Sequence, residues 1–283
     1  MNMCGFIASF GIDVNQNDFK NALKHLSRRG PDSEGIWSEN KVLLSSRRLA
    51  IFDLNNRSNQ PMHSLCSRYI IIFNGSIYNY KVLRKYLIDN NIKLKTHSDT
   101  EVILELFVLE GSKMLSKLEG MFAFVIWDCK EKKAFAARDP FGIKPLYIGT
   151  NLDGIILSSQ VKALLSTQLI NNDKDINSQF SFWNLGYVME PRTWFKNIKA
   201  LKSGYYIYIK DGKIISEIQW YDLNKNWIIA DSEVKKFTKS EFSKIIRNSI
   251  VASVKKHLIA DVPIGIFLSS GIDSTIVASI ASS

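Results

Sequence analysis

The chain has 283 residues, of which 46% are hydrophobic and 23% are charged, and its formal net charge is +10. This composition can fill one large domain or two ordinary ones, and it excludes a chain that is disordered throughout. The longest apolar run, at residues 120–127, is far shorter than the roughly 20 residues of a membrane-spanning helix. Basic residues are interspersed with acidic ones, which argues against a nucleic-acid-binding surface.

The cysteines indicate the redox setting. Cys4, Cys66 and Cys129 have neither paired nor metal-ligand spacing, and the four histidines are scattered. The first residues carry no basic segment followed by a hydrophobic stretch, which is the pattern of an export signal. We therefore expect a reduced, cytoplasmic protein without a metal site or a membrane partner.

Hydrophobic periodicity predicts two sheets covered by helices in the N-terminal part of the chain. Strand patterns occur at residues 4–11, 42–52, 69–73, 121–127 and 134–137. Helical spacing occurs between them at residues 17–26, 80–87 and 100–109.

The composition of the sequence changes after Gly204. Residues 205–209 and 213–221 predict a hairpin around Asp211-Gly212. Residues 225–236 then indicate a polar linker. A helix is predicted to begin at Thr238, which has capping-box spacing to Glu241, and it carries one apolar stripe.

A strand, a Ser/Gly turn and a helix are predicted at the end of the sequence. Residues 263–268 favour a buried strand, residues 269–274 a tight turn, and the rest an apolar helix. Free N–H groups at a helix N-terminus can bind an anion. The segment lacks the Gly-Lys-Ser/Thr ending of a P-loop, so by spacing alone it favours an ordinary strand-to-helix turn.

Seven motifs follow one another in the N-terminal part of the chain. They lie at residues 3–5, 29–32, 47–51, 73–79, 98–102, 120–124 and 138–147. In this order they resemble the glutamine-hydrolysing asparagine synthetases. The Leu-Ser-Ser-Gly-Ile-Asp-Ser segment at 268–274 resembles the pyrophosphate-binding loop that opens the synthetase domain of that family.

The resemblance implies an α+β fold. The first domain would be a four-layer αββα sandwich of the N-terminal-nucleophile class, followed by an incomplete α/β domain of the ATP-pyrophosphatase type. We predict a glutaminase domain at 1–212, a connection at 213–237 and the start of the synthetase domain at 238–283. We also expect a truncated chain that cannot make asparagine by itself.

Cys4 is the nucleophile that the resemblance implies. It would attack the side-chain amide of glutamine, with its own free α-amine as general base. An α-amine has a pKa of about 7.7–8.0, so a useful fraction is neutral in the cell. The thiolate would form a thioester and release ammonia. This requires Cys4 to begin the mature chain, so we predict that translation starts at Met3 or that residues 1–3 are removed.

The resemblance assigns further roles by position. The Asn74 side chain and the Gly75 N–H would form the oxyanion hole, Arg48 would hold the glutamine α-carboxylate through a two-pronged contact, and Asp99 would pair with the α-ammonium. The pocket would also be lined by Leu49, Ala50, Ile51, Phe52 and Ser76. Taken one at a time, these residues have ordinary readings: a buried cysteine, an Asn-Gly hairpin turn and exposed charges.

The sequence departs from the family pattern at four positions. Ser76 replaces a glutamate, which removes a carboxylate near the substrate ammonium. Arg28 and Ser46 each replace a histidine. Ser270 replaces a glycine in the pyrophosphate loop, where a Cβ is tolerated if φ stays negative.

For the complete family enzyme, the resemblance implies ATP and Mg²⁺, whereas the glutaminase half requires no cofactor. The predicted ATP contacts, which form an incomplete site, are Leu268, Ser269, Ser270, Gly271, Asp273 and Ser274. Glutamine is the expected substrate, and aspartate or another carboxylate would accept the ammonia. The sequence leaves open whether the protein forms a homodimer.

Three alternatives remain beside asparagine synthesis. One is amidation of another carboxylate, such as a sugar acid of surface-polysaccharide synthesis. A second is a class II amidotransferase that makes an aminosugar or phosphoribosylamine, against which the loop at 268–274 argues. The third is a catalytically silent, truncated remnant that serves as an interaction module, which Ser76 and a blocked Cys4 would favour.

Overall fold

The computed structural model describes residues 3–14, 16–234 and 236–283. The chain divides into two compact units, with the boundary between Tyr221 and Asp222. Within the described residues, we find no helix whose length and apolar content would let it cross a membrane.

The first unit is built mainly from strands. They are β1 (Gly5–Phe10), β2 (Ser33–Glu39), β3 (Val42–Arg48), β4 (Met62–His63), β5 (Tyr69–Ile77), β6 (Gly120–Asp128), β7 (Lys133–Arg138), β8 (Tyr147–Thr150), β9 (Ile155–Ser158), β10 (Ile198–Ala200), β11 (Tyr205–Lys210) and β12 (Lys213–Gln219). The helices are α1 (Gln16–Leu26), α2 (Tyr80–Asp89), α3 (Asp99–Glu110), α4 (Val161–Ser166) and α5 (Ile176–Leu185), with 3₁₀ segments at Asn56–Ser58 and Gly111–Lys117.

The strands form two six-stranded sheets. The first has the order β10-β8-β9-β1-β3-β2, and the second has the order β12-β11-β7-β6-β5-β4. Neighbouring strands are antiparallel in both sheets. Short hairpin connections such as β2–β3 and β6–β7 account for this arrangement, because antiparallel strands need only a tight turn between them.

The core between the sheets follows from the alternation of side chains along each strand. Phe6, Ala8 and Phe10 of β1 lie in one buried cluster with Ile70 and Ile72 of β5. Even-numbered side chains of β1 and β5 therefore face the space between the sheets. This parity also determines where the candidate site can form.

Helices cover the outer faces of both sheets. Ile7 of β1 packs on the other side of its sheet, in a cluster with Phe19 and Leu23 of α1 and Leu164 of α4. On the second sheet, α3 packs against β5 and α2 packs against α3. The predicted four-layer αββα arrangement is confirmed.

The first unit extends beyond the predicted boundary at residue 212. β12 pairs with β11 and completes the second sheet, so the unit ends at Tyr221. The segment predicted as a polar linker at 225–236 is helical over most of its length, because α6 (Leu223–Val234) occupies it. This segment contains neither glycine nor proline, and its polar residues are compatible with an exposed helix. Residue 235 lies outside the described residues.

The second unit consists of α6, α7 (Lys239–His257) and α8 (Ile272–Ala281). The predicted capping box is present: the Thr238 hydroxyl accepts from the Glu241 N–H, and the Glu241 carboxylate accepts from the Thr238 N–H. The strand predicted at 263–268 is wrong, because this stretch is irregular. A buried strand needs neighbouring strands for its backbone hydrogen bonds, and the described part of this unit contains none.

Candidate functional site

Cys4 lies immediately before β1, near the middle of the first sheet. By the alternation along β1, its side chain faces the space between the sheets, on the same side as Phe6. The half-buried sulfur accepts a hydrogen bond from the Leu49 N–H at 3.3 Å, and the thiol donates to the Leu49 carbonyl oxygen at 3.5 Å. The thiol is therefore tied to the loop that follows β3.

The surroundings of Cys4 keep its thiol protonated. Burial raises the pKa of the Cys4 thiol, and the negative charge of Asp99 acts in the same direction. The Leu49 N–H and the charges of Arg48 and Lys144 oppose this rise without cancelling it. Because the thiolate is the nucleophilic form, Cys4 needs a base beside it in order to react.

Asn74 and Gly75 lie inside β5, not at a hairpin turn. Asn74 is opposite Ala123 and Gly75 is opposite Phe122 of β6. A Cβ on Gly75 would lie 2.3 Å from the Met121 carbonyl oxygen, so only glycine fits there. The ordinary reading of this Asn-Gly pair as a turn is therefore excluded.

The Asn74 side chain is fully buried, and neither its oxygen nor its nitrogen has a hydrogen-bond partner among the described residues. Asn74 shares the inter-sheet face of β5 with Ile70 and Ile72. An unsatisfied buried amide costs about 1–3 kcal/mol, and such groups require an explanation. A substrate oxygen between the sheets would provide one.

Arg48 ends β3 and is buried. Its Nη1 donates to the Asn55 carbonyl oxygen (3.2 Å) and to Asn59 Oδ1 (3.0 Å), and its Nη2 donates to the carbonyl oxygens of Phe52 (2.9 Å) and Asp53 (2.6 Å). Both terminal nitrogens of the guanidinium are thus occupied by the loop after β3. The predicted two-pronged contact with a substrate carboxylate would require some of these bonds to be exchanged.

Asp53 anchors the same loop, although no sequence motif predicted a role for it. Its carboxylate accepts hydrogen bonds from the His97 N–H (2.8 Å) and the Arg57 Nε (3.2 Å). Burial alone would raise the pKa of Asp53, but hydrogen bonds from His97, Ser58, Arg57 and Asn55 lower it to about 2. The bond to His97 connects this loop to the segment before α3.

Four of the five predicted lining residues, Leu49 to Phe52, lie in the loop after β3. Leu49 contacts the thiol of Cys4, and the Ala50 N–H donates to Asp32 Oδ2 at 2.7 Å. Ile51 is half-buried, and the buried Phe52 ring lies 5.1 Å from the Tyr80 ring, measured between centroids. The loop thus links the Cys4 thiol to the start of α2.

Asp99 is the first residue of α3, and its buried carboxylate accepts from the Ile77 N–H at 3.1 Å. Burial raises the pKa of Asp99 to about 7, against the hydrogen bonds from Ile77 and Thr100 and the charge of Arg48. The buried Asp99 carboxylate therefore favours a cationic partner. Ser76 is almost fully buried on the inter-sheet face that Asn74 occupies.

The two residues that stand in place of family histidines, Arg28 and Ser46, do not disturb the site. Arg28 is exposed, and the buried Ser46 hydroxyl donates to the Gln60 carbonyl oxygen at 2.8 Å. Neither side chain introduces an unpaired buried charge.

Two cations near Cys4 were not predicted as site residues. Arg29 Nε donates to the Cys4 carbonyl oxygen at 3.0 Å, and Arg29 Nη2 is buried without a partner among the described residues. The Lys144 Nζ is 2.8 Å from the Met3 sulfur. Both residues lie inside motifs that carry the family resemblance. Those motifs could have marked Arg29 and Lys144 as candidate site residues, but the resemblance assigned no role to either.

The loop predicted to bind pyrophosphate lies in the second unit and is exposed. Ser274 Oγ contacts Ser269 Oγ at 2.8 Å and donates to the carbonyl oxygens of Ser269 and Gly271, each at 3.0 Å. Gly271 caps α8 at its N-terminus. Ser270 does not have a positive φ, so its Cβ causes no backbone strain.

A separate cavity of about 450 Å³ lies at the other end of β1. Its lining includes Gly11, Trp127 and Asp153. It contains none of the predicted site residues.

Comparison with known proteins agrees with these features. Residues 3–222 match the family described as glutamine amidotransferase domain, and residues 246–283 match asparagine synthase. Asparagine synthetase [glutamine-hydrolyzing] 1 of Bacillus subtilis is 36% identical over 99% of this chain and 44% of its own length. Asparagine synthetase B of Escherichia coli is 32% identical over 98% of this chain and 44% of its own length. The predicted resemblance is confirmed, and the chain spans about half the length of the curated relatives it matches.

The fold is also found in solved structures. Glutamine phosphoribosylpyrophosphate amidotransferase of B. subtilis aligns with a TM-score of 0.60 at 19% identity, over 77% of this chain and 49% of that chain. At this identity the likeness concerns the fold alone.

Proposed function

The chain belongs to the glutamine amidotransferase domain family, and on that basis we propose that its first unit hydrolyses the side-chain amide of glutamine to glutamate and ammonia. The observation that carries the proposal is the amide of Asn74, which has no hydrogen-bond partner among the described residues and is buried between the sheets, on the faces from which Cys4 and Ser76 also project. An amide held without a partner at this position suits a reaction that develops negative charge on oxygen.

The first step requires a base for the Cys4 thiol. We assign this role to the α-amine of Cys4, which is basic only when no residue precedes it. The amine takes the thiol proton while the sulfur bonds to the amide carbon of glutamine. The hydrogen bond from Arg29 Nε to the Cys4 carbonyl oxygen fixes the residue that carries both groups.

Negative charge then develops on the former amide oxygen. Asn74 Nδ2 and the Gly75 N–H are the donors that would stabilise it, and loss of one such donor typically costs about 3–4 kcal/mol. The C–N bond breaks as ammonia leaves with the proton that the amine carried. Water then hydrolyses the thioester to release glutamate.

The other end of the substrate would bind between Arg48 and Asp99. The ionised Asp99 carboxylate would pair with the α-ammonium of glutamine, and Arg48 would take the α-carboxylate after exchanging bonds with its loop. Ser76 supplies no charge, so we expect weaker glutamine binding than in relatives that carry glutamate there.

We further propose that a longer protein uses the ammonia for ATP-dependent synthesis of asparagine from aspartate, as the names of the relatives suggest. N–H groups at the start of α8, beside the loop at 268–274, fit a phosphate group. For Mg²⁺, the described residues contain no group of three or more potential ligands. Another carboxylate acceptor remains the alternative.

The test is glutamate release from glutamine by protein whose mass and N-terminal sequence show that it begins at Cys4. We expect turnover, a loss of at least about 10³-fold in Cys4→Ser, and little change in the control Cys66→Ser, whose side chain is exposed. Activity that survives Cys4→Ser, or its absence from the wild-type protein with a free amine, contradicts the proposal. Protein that retains Met3 should be inactive.

A further inference from the structure

Lys144 is a buried lysine that the proposed reaction does not use. Its side chain is in the loop between β7 and β8, and the residue is only 4% exposed. The Lys144 N–H donates to Asp139 Oδ2, and its carbonyl oxygen accepts from Arg138 Nε, both at 2.9 Å. These bonds fix the backbone from which the ammonium projects.

The ammonium of Lys144 has a poor partner. Its Nζ lies 2.8 Å from the Met3 sulfur, and a thioether is a weak acceptor. Among the described residues, no carboxylate forms an ion pair with it. Burial, followed by the neighbouring charge of Arg29, lowers the pKa of Lys144 to about 8, while Cys4 and Asp139 act in the opposite direction.

The position of this charge matters because Met3 directly precedes Cys4. The Lys144 charge acts on the Cys4 thiol and lowers its pKa, as Arg48 also does, whereas Asp99 raises it. Arg29 approaches the same residue from the segment after α1 and binds its carbonyl oxygen. Two cations from distant parts of the chain therefore converge on residue 4.

We propose that Lys144 is a positioning residue that places a positive charge beside the α-amine of Cys4 and so keeps that amine unprotonated. This inference rests on the proposed glutaminase function. A neighbouring positive charge disfavours the ammonium form of an amine and favours a thiolate. The first effect keeps a larger fraction of the amine in the unprotonated form that can act as base, although it also makes that amine a weaker base, and the second effect makes the thiol easier to deprotonate. Lys144 itself neither gains nor loses a proton in that step.

The inference makes the effect of Lys144 depend on pH. Below about pH 8 the lysine is charged and holds down the pKa of the Cys4 amine. Above that value the lysine is neutral, and its replacement should have little consequence. A purely structural role would lower activity at every pH.

The experiment compares wild type with Lys144→Met, Lys144→Arg and the control Lys202→Met, all verified to begin at Cys4. Lys202 is exposed and faces Glu217 at 3.8 Å. In Lys144→Met we expect the acidic limb of the kcat/KM profile to move up by about one pH unit, with a loss of about tenfold at pH 6.5 that vanishes above pH 9. Lys144→Arg should stay within about threefold of wild type at pH 6.5, and Lys202→Met should match wild type.

A second measurement does not depend on turnover. Alkylation of Cys4 by iodoacetamide, mapped by peptide mass, reports the ionisation of the thiol. At pH 7 we expect it to be about tenfold slower in Lys144→Met than in wild type. An unmoved acidic limb in an active enzyme, or alkylation that Lys144→Met leaves unchanged, overturns the inference. Wild-type protein that releases no glutamate but shows the alkylation difference contradicts only the proposed function.

Discussion

The candidate site has two walls that treat their polar groups differently. The loop wall, formed by Arg48 and residues 49–59, satisfies its charges: both terminal nitrogens of Arg48 are bonded, and Asp53 accepts several hydrogen bonds. The reaction wall, formed by Asn74, Arg29 and Lys144, leaves a buried amide, one guanidinium nitrogen and an ammonium poorly partnered. The loop wall therefore supplies shape and stability, whereas the reaction wall keeps donors and charge available for chemistry.

The largest effect should come from the reaction wall. Asn74→Leu removes the buried amide, which none of the described residues hydrogen-bonds, and we expect kcat to fall by about 10²–10³-fold. The free energy of unfolding should not decrease, because no existing hydrogen bond is lost and an unsatisfied polar group is removed. Steady-state kinetics tests the fall in kcat, and urea unfolding of the same preparation tests the free energy of unfolding. A variant that loses stability in step with activity would show that Asn74 is structural.

The opposite result is expected on the loop wall. Arg48→Met leaves four oxygen acceptors without their donor, and we expect the free energy of unfolding to fall by at least about 3 kcal/mol. Urea unfolding measures this loss, with Arg28→Met as the exposed control. Unchanged stability would mean that the loop does not depend on the guanidinium, and the distinction between the walls would fail.

Lys144→Met sharpens the comparison because it should stabilise the fold while it impairs activity. A lysine whose pKa falls from 10.5 to about 8 on folding contributes stability above pH 10.5, and this contribution is lost as the pH falls through 8. At pH 7 the buried charge therefore costs roughly 3 kcal/mol, which the methionine would recover. Thermal and urea unfolding at pH 7 and pH 10 test this. A variant that is less stable at pH 7 contradicts it.

The raised pKa of Asp99 predicts how glutamine binding depends on pH. Its pKa is raised from 3.8 to about 7, so its contribution to stability is present below pH 3.8 and is lost as the pH rises through 7. The carboxylate that binds an ammonium forms over the same upper range. We expect the KM for glutamine to fall about tenfold between pH 6 and pH 8. In Asp99→Asn the KM should be high and independent of pH, and a retained dependence would assign the titration to another group.

The smallest effect concerns Ser76. Ser76→Glu restores the carboxylate of the family pattern, and we expect the KM for glutamine to fall about threefold at pH 8, through added attraction to the α-ammonium. Ser76→Gln is the matched neutral control, because it has nearly the same size. Equal KM values for the two variants would show that the side chain at this position does not reach the ammonium.

Much of the site could be predicted because its residues occur in short, recognisable motifs. The motifs that carry the family resemblance predicted roles for Cys4, Asn74 and Asp99, and the structure buries Asn74 and Asp99 and half-buries Cys4. The strand predicted at 42–52 ends at Arg48, and the one predicted at 69–73 continues to Ile77. Periodicity could not find these ends, because the first depends on side-chain bonds from Arg48 to the loop and the second on pairing with β6.

Other features could not be read from local pattern. The β12 strand was separated from its sheet at residue 212, although its hairpin was predicted, because the turn at Asp211-Gly212 does not reveal which strands lie beside it. The strand expected at 263–268 is absent for the complementary reason: apolar residues form a strand only when another strand pairs with them. Hydrogen-bonding partners, rather than hydrophobicity, decided both cases.

The sequence by itself determined that two sheets are covered by helices, because this depends on alternation along strands, and it determined the order of the motifs, whose resemblance to a known family implied Cys4 as the nucleophile candidate. Only the tertiary structure decided that Arg48 is bound by its own loop, that Asn74 has no hydrogen-bond partner in the part of the chain that the structure describes, and that Lys144 lies beside residue 3. The physical reason is that burial, hydrogen bonding and electrostatic interaction depend on distances in space, and folding brings together residues such as 3, 29 and 144 that are far apart in the sequence.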